Sequence, residues 1–234
     1  MSGAREDPRA AGVLVSEARE EILARIRTGL ADVPDHERSA DVDVSREYRR
    51  RAEEPRDRLV ERFAERVADY RAEVRRVAAE DVGRAVNEAC EAMGLRSVVV
   101  PPTLPDSWRP SGLELIEDHG LTARELDAID GAVTGCAVAI AETGTLLLDG
   151  QAASGRRLIT LVPDHHICVV TAEQVVGLVP EAVAALAPSV TRGGVPVTLV
   201  SGPSASSDIE LSRVEGVHGP RHLLVLIAHG DHAE

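Results

Sequence analysis

The sequence predicts an α/β fold: a mostly parallel or mixed sheet flanked by helices, with a helical arm ahead of it. Three observations carry this. From residue 97 onward about six short apolar runs recur, most of them continuous, and continuous runs belong to strands covered on both faces. Helical stripes accompany them, at Leu59, Phe63, Val67 and Tyr70, and at Val82, Val86, Cys90 and Met93. Gly94 follows the second stripe, and Pro101-Pro102 stops the first strand, as helix ends and strand ends require.

Composition narrows the classes. The 234 residues suit one large domain with an appendage, and 44% hydrophobic content is enough for a real core. Aromatics make up only 2%, so platforms for stacking bases are missing. The net charge of −13 repels phosphate backbones, which argues against nucleic acid. The chain contains no lysine, so Schiff-base, pyridoxal-phosphate and P-loop lysine chemistry are excluded, while arginine can still clamp a carboxylate. Cys90, Cys136 and Cys168 are widely spaced with no C-x-x-C. That argues against a disulfide framework and against an iron–sulfur cluster held by this chain alone. No segment has the apolar length of a membrane span, and no signal-peptide core is present, so a cytoplasmic location is expected.

In order, residues 1–12 read as disordered. Ser16 can cap a helix carrying Ile22, Ile26 and Leu30. Residues 31–46 are a polar linker, whose Asp35, His36 and Glu37 read as solvated rather than metal-binding. We therefore expect an arm and linker over 1–45 and the α/β domain over 46–230. A helix spans about Arg56–Tyr70, and Glu73–Val77 is a short strand. A helix runs from about Glu80 to Met93, with Cys90 as a small buried hydrophobe, and a strand covers Ser97–Val100. Leu113–Ile116 is a further short strand. Thr122 and Glu125 form a capping box. Strands are expected at Ala137–Ala141, Leu146–Leu148, Leu158–Val162, His166–Thr171, Val197–Val200 and Leu223–Ile227. A helix is expected over Ala172–Leu186 and a loop over 187–196.

Four constellations stand near strand ends, where open α/β sheets bind ligands outside the carboxyl ends. In Glu142-Thr143-Gly144-Thr145 a carboxylate could attack or accept a proton, and Gly144 lets backbone come close; a solvated turn is the plainer alternative. Asp164-His165-His166 offers acid–base or metal chemistry. Adjacent histidines on a strand point to opposite faces, however, so both cannot hold one metal without a turn. Ser201, Gly202 and Ser204, followed by Asp208 and Glu210, could present hydroxyls and N–H groups to an anion, or simply turn and cap. His218 could face a ligand, and Arg221 could clamp a carboxylate, with Arg156 as a second cation. No G-x-G-x-x-G or G-x-S-x-G stands in the required context.

Taken in order, AETGTLLLDG, GRRLITLVPDHHICVV, SGPSASSDIE and VHGPRHLLVLI resemble the lactate utilization protein C family, whose core is the LUD domain. The resemblance is strongest over 134–227 and extends back to about residue 45. It implies a fold similar to the NagB/RpiA/CoA-transferase-like group. It also implies a role among three proteins that oxidise L-lactate to pyruvate, with the iron–sulfur clusters on partner subunits and no cofactor or metal in this chain. Whether this subunit is itself catalytic is left open by the resemblance. In similar CoA-transferase-like folds a Glu near a Gly at a strand end is the nucleophile, and Glu142 is the matching candidate. The ligand-binding candidates are Thr143, Gly144, Thr145, Asp164, His165, Ser201, Gly202, Ser204, Asp208, Glu210, His218 and Arg221, facing a small carboxylate. A non-catalytic scaffold for redox partners is the other reading.

Overall fold

The structure, a computed structural model, describes residues 8–34, 44–194, 196–203, 205–206, 214–215 and 219–230. Two compact units divide the chain, Met1–Tyr48 and Arg49–Glu234. The first holds helix α1 (Pro8–Gly29). It starts ahead of Ser16, so residues 8–12 are helical rather than disordered; Pro8, with its fixed φ, suits a first turn. Asp35, His36 and Glu37 lie outside the described residues.

The second unit begins with α2 (Arg56–Asp69), β1 (Glu73–Ala78), α3 (Val82–Ala92), β2 (Ser97–Val100) and β3 (Glu114–Glu117). It continues with the short α4 (Ala123–Leu126), capped by Thr122 and Glu125, then β4 (Gly131–Gly135), β5 (Val138–Ile140) and β6 (Thr145–Leu148). Next come β7 (His165–Thr171), β8 (Val175–Val176), α5 (Val179–Gly193), β9 (Thr198–Val200), β10 (Ala205–Ser206), β11 (Val214–Glu215) and β12 (His222–His229).

Six strands form one sheet in the order β1-β12-β7-β4-β2-β3, and every neighbouring pair is parallel. A second sheet, β8-β5-β6-β9, is mixed: β5 pairs parallel with β8, and the other two pairings are antiparallel. The layers follow from which faces are apolar. Val82, Val86, Ala89 and Cys90 of α3 cover Val133, Ile167, Val169, Leu224 and Leu226 on one face of the large sheet. Phe63 and Val67 of α2, with Ala139, Leu146 and Leu148 of the small sheet, cover Cys168, Val170, Val225 and Ile227 on the other. Ala182 and Leu186 of α5 close the outer face of the small sheet over Val138, Ile140 and Leu147. Cys90 is the buried hydrophobe expected, its thiol pushed up to about 11 by burial first and by Glu91 second.

Several elements differ from expectation, among them β4, where no strand was expected. Leu158–Val162 is not a strand: Arg157–Thr160 is a 3₁₀ turn, because Ile159 packs into a small core with Val99, Leu126 and Ala132 instead of joining a sheet. The helix expected over Ala172–Leu186 is split. A 3₁₀ turn at Ala172–Gln174 leads into β8, whose pairing with β5 takes the backbone groups a helix would need. The true helix then starts at Val179 and runs through Pro188 to Gly193, over much of the expected loop.

Candidate functional site

Strand order reverses between β2 and β4: the chain passes from β2 outward to β3, then returns to β4 on the other side and continues to β7. A crevice at the carboxyl ends there is the usual ligand site. Here the segment after β6 occupies it. Ala153 and Trp108 lie against Gly135, Pro101 and Ile159 lie against Gly155, and Thr103 Oγ1 donates to Ala152 O at 2.6 Å. Arg156 belongs to this packing too. It makes two 2.6 Å hydrogen bonds to the Asp118 carboxylate, so it is a structural cation, not a ligand clamp.

The polar recess lies at the opposite, amino end of the large sheet. Arg71, Glu73, Met93, His165, Arg221, His222 and Leu223 line a space of about 380 Å³. Asp164, His165 and Arg221 thus stand before β7 and β12, a correction to the expectation of carboxyl ends. Parallel pairing sets this group: His222 is in register with His165, and the two rings stack with centroids 4.6 Å apart and planes 17° from parallel. His165 Nδ1 is 3.2 Å from Asp130 O. Asp130 itself caps the start of β2, accepting from the N–H groups of Arg96 and Ser97 at 2.8 and 3.1 Å. Arg221 pairs with Asp164 at 3.4 Å, and Glu73 accepts from Arg75 Nε at 2.7 Å. Arg71 has φ +66, a left-handed conformation rare outside glycine. Non-glycine residues held this way cluster at functional sites, where the surrounding structure bears about 1 kcal/mol or more of strain.

The other expected residues gather at the neighbouring corner, where α2 turns into β1. Glu142 is exposed and pairs with Arg49 at 3.1 Å; its N–H donates to Gly177 O at 3.0 Å. Thr145 Oγ1 lies 2.7 Å from Thr143 Oγ1 and 2.8 Å from Ser201 Oγ, a chain of three hydroxyls. Gly144 sits directly against the backbone of Arg66 and Val67, and Gly202 against Tyr70, the residue before Arg71. Glu142 is therefore on the turn between two antiparallel strands, and it is not among the residues lining the recess. Ser204, Asp208, Glu210 and His218 lie outside the described residues. Among the described residues no group of three or more His, Cys, Asp or Glu side chains is placed to hold a metal.

His222, Arg71, Glu73 and Met93 escaped the sequence reading. His222 sat at the edge of a motif already singled out, and one step of alternation from Leu223 would have placed it. Arg71 and Glu73 carried no signal, since only the turn geometry brings them to the recess.

His166 points the other way, as strand alternation requires. It is 1% exposed, Nε2 is 2.8 Å from Thr134 Oγ1, and Nδ1 has no hydrogen-bond partner among the described residues. Burial pushes its pKa down to about 4. The unfolded imidazole, near 6.5, binds a proton that the folded one refuses, so stability is full above about pH 6.5 and falls as pH drops toward about 4. The expected loss across that window is about 3 kcal/mol, and His166→Gln should flatten it. Urea unfolding midpoints at closely spaced pH values would show this; equal slopes for both proteins would refute it.

This layered α/β architecture is that of a LUD-domain protein. Residues 115–228 match the LUD domain model. The chain belongs to the lactate utilization protein C family. It is 47% identical over 174 residues to lactate utilization protein C of Deinococcus radiodurans, covering 74% of this chain and 80% of that one. It is 34% identical to lactate utilization protein C of Geobacillus kaustophilus, over 50% of this chain and 51% of that one. The crystal structure of a DUF162 family protein from Deinococcus radiodurans is similar, with a TM-score of 0.65 and 38% identity, covering 75% of this chain and 99% of that one. No helix among the described residues is long and apolar enough to cross a membrane.

Proposed function

We propose that this chain is a carboxylate-binding subunit of a lactate utilization system, and that the amino-end recess takes the carboxylate. The observation that carries it is the convergence of Arg71, Arg221 and the stacked His165–His222 pair on one space of small-molecule size. A guanidinium can grip a carboxylate through two parallel N–H donors. Arg221 is poised for this, since its present bond to Asp164 is long and exchangeable. The stacked imidazoles supply further hydrogen-bonding nitrogens at the same space. The names of the family relatives support lactate or its oxidation product as the ligand. The resemblance supports iron–sulfur partner subunits that carry the electrons, with cytoplasmic placement. On this reading Glu142 braces the turn and binds Arg49, while the recess binds the ligand.

Titration calorimetry of the full chain with L-lactate and with pyruvate tests the reading. Arg221→Ala should weaken binding about tenfold or more, the worth of one charge-assisted bond. Equal affinity in wild type and Arg221→Ala would refute the recess as the site. Glu142→Gln should bind normally, and labelling of Glu142 by an acyl-CoA would replace this reading with a transferase.

A further inference from the structure

The face of β4 and β7 that looks toward α2 carries a thiol pair that the recess does not use. Thr134 is in register with Cys168 and Gly135 with Val169, so Cys136 is the diagonal neighbour of Cys168. Both side chains lie in the same core cluster, 4% and 0% exposed. Diagonal neighbours of a parallel pair stand about 8 Å apart at Cα, just beyond a disulfide's usual reach, so closure requires the backbone at Cys136 to move toward Cys168. Cys136 is one residue past the end of β4, so its backbone is not fixed by the ladder as that of Cys168 is. Cys168 is the largest influence holding the Cys136 thiol protonated, ahead of burial.

A third group reads the state of the pair. Cys136 Sγ donates to Gln174 Oε1 at 3.7 Å, and Gln174 Nε2 donates back to Cys136 O at 2.7 Å. The same Oε1 accepts from the Thr171 N–H at 2.8 Å. Gln174 thereby ties the end of β4 to the end of β7, and the S–H of Cys136 is one of its bonds.

We propose that Cys136 and Cys168 are a redox-responsive pair that closes to an intramolecular disulfide with a hydroperoxide and reopens with a thiol reductant. The thiolate of Cys136 attacks the O–O bond of hydrogen peroxide, giving a sulfenic acid and one water that carries off the thiol proton. The sulfur of Cys168 then displaces the sulfenic hydroxyl, which leaves as a second water with the proton of Cys168. Two thiols lose two electrons, and the peroxide gains them. Closure removes the S–H donor from Gln174 and loosens the tie between β4 and β7. Cys90 is shut in the opposite core against α3 and takes no part.

Hydrogen peroxide treatment of the folded full-length chain, followed by alkylation, unfolding and peptide mapping, tests this. The expected product is a Cys136–Cys168 linked peptide lacking two hydrogens, reversed by dithiothreitol, with Cys90 still alkylatable. Because only the thiolate attacks and the Cys136 thiol is held protonated, the rate should climb about tenfold per pH unit through the neutral and mildly alkaline range. Cys90→Ser should behave as wild type, and Cys136→Ser should give no linked peptide. Separate alkylated peptides after oxidation, sulfinic acid at Cys136 without linkage, or linkage only after unfolding in urea would each overturn the proposal.

Discussion

Gly144→Val yields no folded protein, and Gly144→Ala lowers the unfolding free energy by about 3 kcal/mol or more. Two effects add. Gly144 has φ +59, where any side chain is strained, by about 1 kcal/mol for alanine. The larger effect is contact. A Cβ there would stand 2.6 Å from Arg66 C, 2.8 Å from Arg66 Cβ and 2.8 Å from Val67 N. Helix backbone cannot rotate aside as a flexible side chain can, so α2 must lift from the small sheet. Phe63 and Val67, both essentially fully buried beneath it, would lose their packing. Urea denaturation followed by circular dichroism measures the alanine variant, and an unchanged midpoint would show that the turn does not press on the helix.

Arg156→Ala should cost about 3–5 kcal/mol, the usual penalty for leaving a buried charge without its partner. The Asp118 side chain is 2% exposed and that of Arg156 43%, so the carboxylate is the member that water cannot rescue. Burial alone would raise the Asp118 carboxyl. The bonds from Arg156 and from the N–H groups of Gly120 and Leu121 outweigh it and hold the carboxyl below its ordinary range. A depressed carboxylate contributes stability that is present above its unfolded value, near 3.9, and lost as pH falls through the folded value. In Arg156→Ala the carboxyl rises, because burial is then opposed only by the Gly120 and Leu121 N–H groups. The penalty should therefore be largest near neutral pH and shrink as the carboxyl takes up a proton in acid. Adding Asp118→Asn should recover part of the loss at neutral pH. Calorimetric melting at two pH values checks both statements, and a pH-independent penalty would contradict them.

The sequence carried the layers well and the site unevenly. Parallel pairing was legible because β7 and β12 are continuous apolar runs, which only a sheet covered on both faces accommodates. The opposite fates of His165 and His166 followed from alternation alone. What failed were segments whose structure is decided by a distant partner. Val175 and Val176 read as helix until β5 takes their backbone bonds, and Leu158–Val162 reads as strand until Ile159 finds its core. The site was misplaced for a similar reason. The motifs named the stretches that carry His165 and Arg221 to the recess, but the end of the sheet they occupy depends on where each strand begins. Whether the carboxyl-end crevice stays open depends on Ala153 and Trp108 folding across it. Arg71 is the clearest case: its position follows from a left-handed turn that no residue type announces.

The placement of β12 has a consequence for how the protein is made. It is the last described strand in chain order, yet it lies between β1 and β7 in the sheet. On the ribosome β1 emerges early and waits for β12, its only sheet partner among the described residues. Until then one edge of β7 is open as well, with Cys168 and Val170 facing an unfinished core. Nascent chains stalled before residue 222 would thus display two unpaired strand edges, the feature that recruits chaperones and seeds aggregation. The large sheet is therefore complete only when its last described strand slots in between β1 and β7.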